Sequence, residues 1–156
     1  PRGGDELNRL LPGRNYGWPL FSDGLNYDGT EIAWGRSRIE IELEDTERAA
    51  KTWSPSIAVS NLLVYEGAAF PGWQGDFLIG SLKASDLVRV EVADGRVVGE
   101  ELLVEDIARV RDLDVDGRGW VYLLLEHQAG SRIVRLRPAL TGGRGRGLYQ
   151  PQSSSP

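Results

Sequence analysis

The 156-residue chain has no cysteine, no methionine and a single histidine, His127. Without thiols it can build no disulfide framework, thiolate zinc site, thiol nucleophile or iron–sulfur centre. One imidazole excludes a multi-histidine metal site within the chain and leaves a Ser-His-Asp triad a single candidate base. A chain that opens Pro1-Arg2-Gly3-Gly4, with no initiating methionine, is expected to be a processed product or a piece of a longer protein. No apolar run approaches the roughly 18–20 residues that span a bilayer as a helix. No signal peptide is visible at Pro1, which says nothing of location if preceding residues are missing.

Positive charge is also in short supply. Lys+Arg 18 against Asp+Glu 23 gives a formal net charge of −5, a poor match to nonspecific nucleic-acid binding, which needs a basic face. Hydrophobic residues, at 40%, suffice for a core, and the length fits one domain. Gly 20 and Pro 8 exceed the usual combined share of roughly 12%, as expected for short strands joined by tight turns in an all-β chain.

Strand patterns fill the centre and the C-terminal half. Ser60 to Tyr65 is apolar and stops at Glu66-Gly67. Asp76 to Gly80 follows the turn-like Pro71-Gly72-Trp73-Gln74-Gly75. Asp86 to Val92 alternates, with Leu87, Arg89 and Glu91 on one face and Val88, Val90 and Val92 on the other, the period of a strand. Asp94-Gly95 predicts a hairpin turn, because both residues tolerate positive φ, and Arg96 to Val104 returns. Arg109 to Val115, Gly119 to Leu125 and Ser131 to Leu136 then repeat the order. Phe77 finds its counterpart in Val121, 44 positions on, and Leu87 in Ile133, 46 positions on. A unit of this size made of short strands matches a β-propeller blade, usually a four-stranded sheet of roughly 40–50 residues. Two ordinary hairpins in a sandwich are the alternative.

The N-terminal third is less regular. Asp5 to Leu11 reads as a strand ending at Pro12-Gly13, Asn15 to Gly29 as a structured loop, and Glu40 to Ala50 as a short helix or a solvated excursion. Residues 139–156, rich in Gly, Arg and Ser, read as a disordered tail. Asp112 to Gly117 has the look of an EF-hand loop, but Leu123 stands where a bidentate Glu is needed, so it reads as a turn. His127 lies past a strand end and reads as a surface residue.

Some motifs carry chemistry. Gly4-Asp5-Glu6-Leu7-Asn8 is followed by Pro12-Gly13-Arg14-Asn15-Tyr16-Gly17-Trp18-Pro19, then Trp53-Ser54-Pro55-Ser56-Ile57-Ala58, Gly80-Ser81-Leu82-Lys83 and Arg109-Val110-Arg111-Asp112. In this order they resemble the soluble PQQ-dependent aldose sugar dehydrogenases, the glucose/sorbosone dehydrogenase family, from about Gly4 to Pro138. The resemblance implies a six-bladed β-propeller, of which residues 1–138 would supply about three C-terminal blades of four antiparallel strands each.

It also implies roles for particular residues. Glu6, with the backbone carbonyl of Tyr16, would hold a structural Ca²⁺ through hard oxygen ligands; read by spacing alone, Glu6 is a solvated charge and Tyr16 packs on Trp18. Lys83, Arg109 and Arg111 would hold the carboxylates of PQQ by charge-assisted hydrogen bonds. Two residues apart on one strand, the arginines would share a face; without the resemblance they read as partners of Asp112 or Asp114. Trp53 and Ser56 would line the cofactor and substrate mouth. The histidine that serves as general base in the family matches no position here, so no catalytic residue is assigned.

The function implied is oxidation of an aldose at C1 to its lactone, with the electron acceptor unknown and the fragment by itself inactive. The resemblance also implies a periplasmic or secreted location and leaves a homodimer of the full-length protein open. The alternative is a non-catalytic propeller that binds carbohydrate or a partner.

Overall fold

The computed structural model describes residues 2–32 and 40–139. The tail from 140 onward and part of the charged excursion after Ile32 lie outside the described residues. Nine strands follow in order: β1 (Asp5–Leu7), β2 (Lys51–Trp53), β3 (Val59–Val64), β4 (Phe77–Ser81), β5 (Leu87–Ala93), β6 (Arg96–Val104), β7 (Arg109–Val115), β8 (Val121–His127) and β9 (Gly130–Leu136). Every pairing between them is antiparallel. The described residues contain no α-helix, only 3₁₀ turns at Leu43–Asp45 and Pro71–Trp73. Glu40 to Ala50 is therefore an excursion with one such turn.

The strands form sheets β1-β2, β3-β4-β5-β6 and β7-β8-β9. The repeat seen in the sequence is present, because β7-β8-β9 reproduces the meander of β3-β4-β5. Four-stranded sheets throughout are not: only the central sheet has four strands among the described residues. After β9 the chain enters Arg137-Pro138, where proline cannot donate to a ladder. β1 is shorter than expected because Asn8 and Arg9 leave the ladder after Leu7 pairs with Lys51. His127 is the last residue of β8 rather than part of the loop beyond it.

The alternation in β5 buries both faces of the central sheet. Val88 and Val90 join Ile79, Leu7 and Trp53 in one core, against the β1-β2 sheet. Leu87 and Leu78 join Val110, Leu113, Val121, Leu123 and Leu125 in the other, against the β7-β9 sheet. Three sheets thus stack face to face. The turn after β5 is as expected, with Asp94 at φ 52° and Gly95 at φ 71°. Asp112 to Gly117 is also a turn and not a calcium loop. Asp116 Oδ1 accepts from the amides of Arg118 (2.9 Å) and Trp120 (3.0 Å), and Oδ2 from the Tyr122 hydroxyl (3.1 Å). Partial desolvation opposes ionisation there, but these hydrogen bonds outweigh it and hold the Asp116 carboxyl below its ordinary value.

Among the described residues two apolar surfaces are left open. Leu62 and Val64 pair with Ile79 and Phe77 and share their face, yet are 44% and 46% exposed, because the two-stranded sheet is too narrow to cover them. On the outer face of the β7-β9 sheet, Leu124 pairs with Ile133, and Ile133 is 72% exposed. Water-facing apolar side chains beside an unpaired strand edge favour self-association. The 156-residue chain alone is therefore expected to associate at micromolar concentration in sedimentation velocity, and Leu124→Lys with Ile133→Lys to reduce it. A single monomer boundary for the unaltered chain would contradict this.

Candidate functional site

Three connections meet at one end of the stacked sheets. They are the loop of residues 54–58 before β3, the turn of residues 82–86 between β4 and β5, and the link of residues 105–108 before β7. Backbone hydrogen bonds join them. The Ala58 carbonyl accepts from Leu82 N (2.9 Å), the Ile57 carbonyl from Lys83 N (3.1 Å) and Ala84 N (3.3 Å), and the Ser85 carbonyl from Ile107 N (2.9 Å). The Asp86 carboxylate accepts from Asp106 N at 2.9 Å.

This end also concentrates unusual backbone. Ala58 (φ 55°), Ser85 (φ 63°) and Asp106 (φ 46°) occupy the left-handed region, which costs a non-glycine residue of order 1 kcal/mol or more and persists only where surrounding contacts enforce it. Sequence reading missed these positions. Alanine and serine carry no signal for positive φ, and only Asp106 is of a type that tolerates it.

Ala58, Leu82, Lys83, Ser85 and Arg109 line an open depression of about 470 Å³. Lys83 and Arg109, chosen from the sequence, are thus brought together. Both are exposed, and among the described residues neither forms an ion pair. The remaining site residues are placed differently. Arg111 sits at a bulge where the register jumps between Val110 and Asp112. It faces the same side as Arg109, but its guanidinium is paired with Glu126 through Nε and Nη2. Asp112, offered as a partner for the arginines, instead accepts from the Asn61 side-chain amide at 2.5 Å.

Trp53 is buried in the core against β4 and β5. Its indole N–H donates to Glu100 Oε2 at 2.9 Å, and Lys51 Nζ lies 5.1 Å from its ring centre. It packs in the core and does not line the depression. The Ser56 hydroxyl donates to Asp5 Oδ2 at 2.7 Å and shapes the loop beside the depression without lining it. His127 does not line it either.

Glu6 and Tyr16 share a separate cleft of about 230 Å³, with Asp23 and Glu47 also on its wall. Glu6 Oε2 accepts from the Asn8 side-chain amide at 3.0 Å. The Tyr16 hydroxyl donates to the Arg9 carbonyl and accepts from Leu11 N, both at 2.6 Å, which pins the Pro12-Gly13 turn against it. Among the described residues no three acidic or histidine side chains converge as a metal cluster. A cation here would find Glu6 and neighbouring backbone oxygens as hard ligands, with Asp23 and Glu47 also on the wall.

Comparison with known proteins identifies the family. Residues 1–135 match the family described as Glucose / Sorbosone dehydrogenase, and the chain belongs to that family. It is 36% identical over 139 residues to the aldose sugar dehydrogenase YliI of Escherichia coli (strain K12), an alignment covering 88% of this chain and 36% of that protein. A crystal structure of a glucose dehydrogenase superposes with a TM-score of 0.76 at 35% identity, over 89% of this chain and 39% of the other. The soluble aldose sugar dehydrogenase of Escherichia coli in its apo form gives 0.70 at 32% identity, over 86% of this chain and 38% of that one. The chain thus spans a little over a third of the length of these relatives.

Proposed function

We propose that this chain is part of a PQQ-dependent sugar dehydrogenase that oxidises an aldose at C1 to its lactone, and that its stacked sheets are successive blades of a six-bladed propeller. The observation that carries the reading is the pair Lys83 and Arg109. Two exposed cations without described carboxylate partners, in a chain of net negative charge, face one depression. This donor set suits a ligand with several carboxylates, one point charge and one planar fork.

PQQ, when bound, would supply the acceptor for the hydride leaving C1. The chain's own contribution is to bind and orient. Lys83 and Arg109 would hold cofactor carboxylates, while the strained turns at Ala58 and Ser85 keep those cations apart at a set spacing. Arg111, already neutralised by Glu126, would contribute less. Trp53 and Ser56 support the wall from behind. The base that takes the C1 hydroxyl proton would come from another part of the whole protein. A Ca²⁺ at the Glu6 cleft would be structural, held by the carboxylate and neighbouring carbonyls. Periplasmic or secreted placement belongs to the same reading.

The test is direct. The whole protein, given PQQ, Ca²⁺ and an aldose, is expected to reduce a dye acceptor, while the 156-residue chain under the same conditions does not. Failure of the whole protein to bind PQQ in an equilibrium titration would overturn the enzyme reading and favour a non-catalytic carbohydrate-binding propeller.

A further inference from the structure

Asp5 lies far in sequence from the cationic depression, yet its carboxylate is tied to it. One oxygen, Oδ2, accepts from the Ser56 hydroxyl at 2.7 Å and from the Ala58 amide at 2.9 Å. The same Ala58 amide is also within reach of Ser56 Oγ, at 3.1 Å. These bonds fold residues 56–58 into a turn whose last residue is left-handed, with Ala58 at φ 55°. That turn then presents the Ile57 carbonyl to the amides of Lys83 and Ala84, and the Ala58 carbonyl to Leu82 N. A continuous set of hydrogen bonds thus runs from β1, through the 56–58 turn, to the backbone that carries Lys83. Asp5 is itself fixed, because its strand pairs with β2 at Trp53 and Trp53 is anchored in the core.

We propose that Asp5 is a positioning residue for the cationic site, holding Lys83 in place through the Ser56–Ala58 turn. The proposal rests on the reading of Lys83 and Arg109 as an anion-binding pair and adds the group that sets their geometry. Asp5 touches no ligand in this scheme. Its role is to accept two hydrogen bonds with one oxygen, a task an asparagine carbonyl can also perform.

The predicted signs separate this role from simple electrostatics. Removing a carboxylate near an anionic ligand should tighten binding if charge alone matters. Positioning predicts the opposite. In the whole protein, Asp5→Ala is expected to weaken PQQ binding about tenfold, the size of one well-made hydrogen bond lost from the scaffold. Asp5→Asn should stay within about threefold of the unaltered protein, because the acceptor oxygen remains. In a Lys83→Ala background, Asp5→Ala should have little further effect, since the group it positions is gone.

A ligand-free measurement runs beside this. Amide hydrogen exchange in the whole protein without PQQ should accelerate at Ala58, Lys83 and Ala84 in Asp5→Ala and not in Asp5→Asn, with the amides shared by β8 and β9 unchanged. Exchange confined to these amides supports the proposal even if PQQ fails to bind, in which case only the cofactor reading falls. Unchanged exchange at Lys83 and Ala84 in Asp5→Ala, equal loss in Asp5→Asn, or tighter PQQ binding by Asp5→Ala would each overturn it.

Discussion

Replacing Lys83 and Arg109 together with alanine is expected to abolish PQQ binding by the whole protein without disturbing its fold. Each side chain would donate charge-assisted hydrogen bonds to a carboxylate, and the loss of one such contact weakens binding by about 10- to 100-fold. The double variant should then lose at least about a hundredfold, the product of two largely independent losses. Neither cation is paired with a carboxylate among the described residues, so truncation orphans no described buried partner, and the thermal midpoint should hold within a few degrees. Arg109→Lys keeps the charge but loses the planar fork, and should fall between the single alanine variant and the unaltered protein. Arg111→Ala should cost less than Arg109→Ala, because Glu126 already occupies that guanidinium. Fluorescence titration with PQQ measures all four. A double variant that binds within threefold of the unaltered protein would remove these residues from the site.

The largest loss of stability is expected at Tyr65. It follows β3 directly, is fully buried, and packs edge-on against Phe70 and Trp73, with ring centres 5.9 Å and 5.7 Å away. Its hydroxyl donates to the Gly119 carbonyl at 2.7 Å and accepts from Phe70 N at 3.1 Å. One side chain therefore joins the central sheet to the turn between β7 and β8. The fit leaves no spare room, since a Cβ on Gly67 would lie 2.6 Å from both the Tyr65 hydroxyl and the Gly119 Cα. Tyr65→Ala should cost about 4–5 kcal/mol, as for other large aromatic residues truncated in a core. That is a large part of the roughly 5–15 kcal/mol typical of a domain. Tyr65→Phe separates packing from hydrogen bonding, and should cost about 1–3 kcal/mol for the unpaired carbonyl and amide it leaves buried. Urea unfolding of the whole protein, followed by tryptophan fluorescence, reads both. If Tyr65→Phe were as damaging as Tyr65→Ala, the packing share of this estimate would be wrong.

The strands were legible where side chains alternate and turns are chemically marked. β5 announced itself because Val88, Val90 and Val92 recur every second residue, and its turn because Asp94-Gly95 suits positive φ. β6 and β7 follow the expected spans for the same reason. β2 was not legible, because Lys51-Thr52-Trp53 is too short to show a period. Of the candidate site, the sequence offered Lys83 and Arg109 by residue type and motif order, and the structure brings both to one depression; Asp5 was not offered, because its partners lie 51 and 53 positions away. Trp53 carried a motif position yet turned inward, since packing on Ile79 and Val88 satisfies its ring while Glu100 satisfies its N–H.

By itself, the sequence determined the chemistry that is excluded and the local conformation. No thiol and one imidazole exclude thiolate and multi-histidine chemistry, while period-two patterns and glycine turns follow from sterics within a few residues. Only the tertiary structure decided which cations stand free. Arg109 and Arg111 are the same residue type, two apart on one strand. Glu126 neutralises one of them because a bulge in β7 sets the register with β8. The other opens onto a depression lined by residues from two loops distant in sequence, 54–58 and 82–86. Such pairings depend on distances across the fold, and no local pattern encodes them.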